Sequence, residues 1–204
     1  MPPPPDPTLG ERLSWAYANL VASEKAVHDG ASKLRPVHYA IRSRAYREMT
    51  AGRMSPGSLM KDAGTRMKLP RVCVYCGGEE GDVGRMAVDH VVPTRRGGAD
   101  SSDNALPACR SCNSSKKHRD LFAWWRTLPV GEDRPFPPLF AVRVYLKQAV
   151  AFVDEAGLMG ADAAETLTDS PFDWASLPRE FPPPAGLCFT PWHERRKQEA
   201  AEGG

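Results

Sequence analysis

The 204-residue chain has no run of eighteen uncharged apolar residues, which excludes a membrane-spanning helix. Its most apolar stretch, LFAVRVYLKQAVAFV, is broken by Arg143 and Lys147. The opening MPPPPDP lacks a basic patch followed by an apolar run, so no secretory leader is expected and the expected location is cytoplasmic. No internal repeat is present, and the length suits one compact module with helical additions. Cysteine is scarce, and four of the five fall in two tight pairs. A secreted disulfide framework is excluded by that pattern in a chain this long, and metal binding is the better reading.

A net charge of +2 excludes nothing, but its distribution is uneven. Residues 33–71 carry ten Lys/Arg against two acidic residues, residues 85–126 eight against four, and residues 127–204 seven against twelve. A basic centre and an acidic tail place a footprint for a polyanion on one part of the chain.

Apolar spacing predicts a helix over residues 8–29, stopped by Gly30, and a second over 36–51 with Val37, Ile41, Ala45 and Met49 on one face. Ser55-Pro56 reads as the start of a short third helix. Residues 71–108 change to turn and β-branched texture. A helical pattern returns at Arg110, with Leu121, Trp124, Trp125 and Leu128 on one face, and an apolar helix spans 139–156, ending at Gly157. The remainder, rich in Pro and acid, reads as low in helix.

Cys73-Val-Tyr-Cys76 and Cys109-Arg-Ser-Cys112 are two C-x-x-C knuckles separated by 32 residues. Four thiolates so arranged close a tetrahedral structural zinc site with no open position for water. Gly77 and Gly78 suit the tight turn after the first pair, whereas Cys188 stands alone and reads as a small buried side chain. The clasp forces the enclosed segment into a hairpin, with Arg85–Val92 outgoing, TRRGGADSSD as loop and Asn104–Pro107 returning. Asp89, His90 and Asn104 lie in that hairpin, and Asn113 stands just past the clasp at the start of a helix.

The succession C-x-x-C, D-H-x-x-P, G-G, D-N-x-L, C-x-x-C-N-x-x-K resembles the HNH endonucleases over about residues 70–125. Fourteen residues separate His90 from Asn104, nine more reach Asn113 and three more Lys116. The third signature position is Asn113 and not His, an H-N-N variant that keeps an oxygen ligand. The resemblance implies an α+β fold: a small ββα-metal core with structural zinc at residues 67–128, between a basic helical segment (1–66) and a helical, Pro/acid-rich segment (129–204).

It also implies hydrolysis of phosphodiester bonds in DNA, in settings such as restriction or antiphage defence with a partner protein. Such chemistry needs a base for water and a cation for the charge that builds on phosphorus. His90 is the expected base, because imidazole exchanges a proton near neutral pH. Asp89 and Asn113 are the expected ligands of Mg²⁺ or Mn²⁺. Asn104 is expected to pin the loop that orients His90, and Lys116, one helical turn past Asn113, to contact the scissile phosphate. Arg95, Arg96, Lys117 and Arg119 are candidates for neighbouring phosphates, while His118 lies off the motif's spacing and reads as surface. The alternatives are a zinc-clasped module that binds nucleic acid without cutting, and an adaptor that docks a protein through the apolar helix 139–156. The basic segment 33–71 reads as a phosphate-tracking arm, or as a dock for the acidic tail, residues 154–180.

Overall fold

The structure, a computed structural model, describes residues 7–54, 71–129, 135–163 and 170–202. Its elements are α1 (Leu9–His28), α2 (Pro36–Thr50), β1 (Met86–His90), β2 (Ala105–Cys109), α3 (Arg110–Lys116), α4 (Leu121–Trp125), α5 (Leu139–Glu155) and α6 (Pro191–Glu202). The helix expected at Ser55-Pro56, the basic residues Lys61, Arg66 and Lys68, and the boundary expected at 66/67 lie outside the described residues. None of the described helices is long and apolar enough to cross a membrane.

α1 begins with a reciprocal cap, the Thr8 hydroxyl accepting the Glu11 N–H at 3.2 Å and the Glu11 carboxylate accepting the Thr8 N–H at 3.0 Å. Two amides that a helix start leaves orphaned are thereby satisfied. Gly30, at φ 64°, turns the chain away just beyond the Asp29 cap. Between these ends α1 is buried on several sides. Leu13, Ala16, Tyr17 and Leu20 join the main core, while Trp15 and Ala18 meet Ala45 and Tyr46 of α2.

The packing face of α2 is the expected one only in part: Ala45 is buried and Met49 packs against the core. Val37 is exposed, and the buried positions are His38, Ala45 and Tyr46. Paired polar groups turn the helix: the His38 ring accepts the Arg35 N–H (3.0 Å) and donates to Asp29 (3.2 Å). Arg42 lies 4.7 Å over the Trp15 ring and donates to Asn19 at 3.1 Å. Arg42 therefore holds α2 on α1 and is not a free phosphate contact.

The apolar helix expected as a docking surface is the centre of the core. Leu139, Phe140, Val142, Leu146, Ala149 and Val153 of α5 are all fully buried, because its apolar residues meet α1 on one side and the aromatic residues of the C-terminal segment on others. The tail is also more ordered than its composition suggests. Phe172, Trp174, Leu177 and Leu187 enter the same core, and α6 adds twelve helical residues where little helix was expected. One hydrophobic cluster thus draws on the N-terminal, central and C-terminal segments alike.

Candidate active site

The two knuckles meet. All four Sγ atoms of Cys73, Cys76, Cys109 and Cys112 lie within 4.8 Å of one another, and Cys76 and Cys109 are 3.9 Å apart. A tetrahedral zinc with bonds of about 2.3 Å separates its sulfurs by about 3.8 Å, so the donor set fits zinc. Gly77 takes φ 73°, and the N–H groups of Gly78 and Cys112 point at the sulfurs of Cys76 and Cys109 (3.5 and 3.4 Å). Hydrogen bonding to Cys73 and Cys76 pushes the Cys112 thiol far up, while Cys112 and Cys73 pull Cys76 down. A bound dication relieves that competition by stabilising four thiolates together. The start of α6 sits against the first knuckle: a Cβ on Gly77 would come within 2.8 Å of Pro191 Cβ. Trp192 donates to Glu79 at 3.1 Å, and Arg195 donates to the Gly77 carbonyl.

The clasp anchors a two-stranded antiparallel sheet, with Asp89 opposite Leu106 and His90 opposite Ala105. Side chains alternate along β1: Val88 is 65% exposed and Asp89 only 3%, whereas the His90 side chain is 27% exposed. A carboxylate buried to that degree needs partners. Tyr75, from inside the first knuckle, donates to Asp89 Oδ2 at 2.5 Å. The Lys116 ammonium lies 3.1 Å from Oδ1 and 3.0 Å from Oδ2, and it also donates to the His90 carbonyl at 2.7 Å.

Lys116 is thus placed differently from the scissile-phosphate contact expected from its position one turn past Asn113. Its side chain is wholly buried, because α3 lies against β1 and aims position 116 inward. Burial lowers its pKa, and Asp89 opposes that shift.

Asn104 is fully buried. Its amide nitrogen donates to the carbonyls of Val92 (2.7 Å) and Ala99 (2.8 Å), and its oxygen accepts the Val92 N–H (2.9 Å). One side chain therefore closes both ends of the 92–104 loop. Gly98 is required in that loop, since a Cβ would lie 2.0 Å from the Val92 carbonyl oxygen.

The loop carries Asp100 back to the strand end, where its carboxylate meets His90 Nε2 at 3.0 Å. An ionised carboxylate only accepts, so Nε2 carries the proton and Nδ1 is the ring's basic nitrogen. His90, Asp89 and Asn113 line one open cleft of about 470 Å³, together with Arg95, Lys117 and His118. The Asp89 and Asn113 oxygens are hard donors suited to Mg²⁺ or Mn²⁺. A carboxylate offers about four lone-pair sites; Tyr75 takes one by hydrogen bond on Oδ2 and Lys116 one on Oδ1, so acceptor capacity remains for an ion.

The four expected phosphate contacts divide. Arg95 and Lys117 are exposed on the cleft. Arg96 instead donates to the Pro171 carbonyl (3.0 Å), tying the loop to the C-terminal segment. Arg119 donates to Thr127 (2.8 Å) and to the Ser115 carbonyl, where it closes the open end of α3. Residue spacing could not reveal Tyr75, Asp100 or Asp120. Tyr75 is hidden between two cysteines, Asp100 is brought back by its loop, and Asp120 caps α4 while accepting from Tyr145 at 2.6 Å.

Residues 73–119 match the family model described as HNH endonuclease. No curated protein and no solved structure matches the chain.

Proposed function

We propose that this chain, with an HNH endonuclease domain at residues 73–119, hydrolyses phosphodiester bonds in DNA with a divalent cation, His90 acting as general base. The observation that carries the reading is the His90–Asp100 pair, which occupies Nε2 and leaves Nδ1 as the basic nitrogen of a residue that lines the cleft with Asp89 and Asn113. Asp100 holds the tautomer, so Nδ1 takes a proton from an attacking water while the positive imidazolium stays beside a carboxylate. Asn104 fixes the loop bearing Asp100, and Lys116 grips the strand end through the His90 carbonyl, so the base is oriented from both sides.

Asp89 and Asn113 would hold Mg²⁺ or Mn²⁺, and the ion, when bound, neutralises charge on the phosphoryl oxygens. Arg95 and Lys117 flank that position and attract the phosphate backbone. The four-cysteine site is closed and holds the hairpin without taking part in the chemistry.

The test is cleavage of plasmid, linear and single-stranded DNA by the full chain with Mg²⁺ or Mn²⁺. His90→Ala is expected to abolish cleavage while leaving zinc content and DNA affinity nearly unchanged, since a base acts in the transition state. Undiminished cutting by that variant removes His90 from the role. Absence of cutting by the wild type under all these conditions, with DNA binding retained, favours the non-cleaving module.

A further inference from the structure

We propose that His118 is a second catalytic residue of the same cleft, donating the proton that the leaving ester oxygen needs when the phosphodiester breaks. The assignment rests on the nuclease reading above and adds to it a second imidazole lining the same cleft, carried by the turn after α3 and not by β1.

The geometry begins with the turn that ends α3. Arg119 N–H donates to the Lys116 carbonyl at 3.1 Å, closing a four-residue turn over 116–119. Lys117, its second residue, has φ 54° and ψ −126°. These angles suit glycine in a type II′ turn, and Lys117 is the one positive-φ residue other than glycine among the described residues. The turn is held from both ends. Lys116 is plugged onto Asp89 and the His90 carbonyl, and Arg119 is clamped to Ser115 and Thr127. A disfavoured backbone conformation locked by its neighbours is a mark of a built site, and its tip carries Lys117 and His118 to the cleft wall.

Within the cleft His118 is exposed, and among the described residues no hydrogen bond or ion pair occupies it. Its charged neighbours on the lining are Asp89, His90, Arg95 and Lys117, with Asp89 already paired to Lys116 and His90 to Asp100. Asp89, His90 and His118 do not come close enough together to form a metal-holding trio among the described residues. A free imidazole that is not part of such a trio, beside a position for a phosphate, is suited to proton transfer near neutral pH. Lys117 keeps its proton more firmly and serves as a fixed charge.

In the step, the water oxygen bonds to phosphorus and its proton passes to His90 Nδ1. The bond from phosphorus to the leaving oxygen breaks, and that oxygen takes its proton from the His118 imidazolium. One ring gains the proton that the other loses, and exchange with solvent restores both.

The test uses the dependence on leaving group. End-group analysis of the products identifies which bridging oxygen departs, and a duplex is then made with sulfur in that position. A thiolate leaves without a proton. With Mn²⁺ and saturating DNA, His118→Ala and His118→Gln are each expected to lower turnover of the oxygen duplex by about a hundredfold or more. Turnover of the sulfur duplex should stay within about threefold of wild type, because no proton transfer remains to be lost. His90→Ala should lose both. Equal losses on the two duplexes, or undiminished turnover of the oxygen duplex, overturn the assignment while leaving the nuclease reading intact. A wild-type chain that cuts neither duplex overturns the nuclease reading itself.

Discussion

The Tyr75 hydroxyl reaches the Asp89 carboxylate at 2.5 Å, joining the interior of the zinc clasp to the acid of the cleft. Tyr75 stands between Cys73 and Cys76, is fully buried, and packs edge-on against Trp124 at 4.9 Å. Burial and the Asp89 charge both drive its own ionisation well above the ordinary range, so the hydroxyl stays a donor. Closing the clasp therefore also aims the carboxylate.

Tyr75→Phe should keep the ring packing and remove only this bond. A hydrogen bond to a charged group contributes about 1.5–3 kcal/mol. The variant is expected to retain zinc, to lose stability of that order, and to need more Mg²⁺ or Mn²⁺ for half-maximal cleavage. Metal titration beside a denaturation curve checks it; an unchanged metal requirement shows that Asp89 is aimed without Tyr75.

Cys112→Ser should have a far larger effect. Two strands of five residues cannot stand alone, and a structural zinc contributes on the order of ten kcal/mol in small domains. Loss of zinc and of the cooperative unfolding transition is expected, read by metal analysis and calorimetry. Well-folded wild-type protein free of zinc contradicts the clasp.

Removing the Lys116 ammonium should destabilise the fold before it touches the chemistry. Lys116→Met keeps the stem's volume but leaves the Asp89 carboxylate buried without its counter-charge. Breaking a buried pair costs about 3–5 kcal/mol. The expected result is a melting temperature lower by roughly 10 °C in a chain of this size, with DNA affinity at permissive temperature little changed. A large loss of affinity with the fold intact would instead restore Lys116 as a phosphate contact.

Asp120 predicts a pH dependence of stability. Burial raises its carboxyl above the usual range, although Tyr145 and the N–H groups of Asp173, Ala123 and Phe122 pull it back. The folded chain holds this proton more tightly than the unfolded one. The resulting stabilisation is full below the unfolded value, near 3.9, and is lost as pH rises through the higher folded value. Asp120→Asn keeps the shape and cannot titrate. The stability of wild type relative to this variant should therefore fall as pH rises above about 4, measured by denaturant unfolding of both. A difference that stays flat as pH rises refutes the shift.

Where chemistry depends on ligand spacing, the core was legible before the fold. The knuckle spacing brings four sulfurs together, and the period of a strand puts Asp89 inside and His90 outside. Legibility ended where long-range packing decides. Lys116 reads as a scissile-phosphate contact until α3 is laid on β1 and buries it against Asp89. The apolar helix 139–156 is open to reading as a docking face until the aromatics of the tail are seen to cover it. Asp100 reaches His90 only because Asn104 closes a loop whose course no periodicity encodes.

The basic arm is the feature whose reading the structure alters most. Arg42 is committed to Trp15 and Asn19, and Arg53 to Glu48, whereas Arg44 and Arg47 are exposed on α2. Each phosphate contact contributes about −0.9 to the log–log dependence of affinity on salt. If α2 tracks the backbone, reversing Arg44 and Arg47 together to Glu should flatten that slope by about 2 and weaken binding to all DNA sequences alike. Arg42→Glu should act differently, destabilising the α1–α2 contact and lowering the melting temperature. Cutting the chain after Gly157 does not distinguish an arm from a tail-docking face, because it deletes Phe172, Trp174 and Leu187 from the core. Fluorescence-anisotropy titrations across a salt series decide the matter. An unchanged slope in the Arg44/Arg47 double variant shows that α2 does not contact the phosphates, leaving Arg95 and Lys117 at the cleft as the primary backbone contacts.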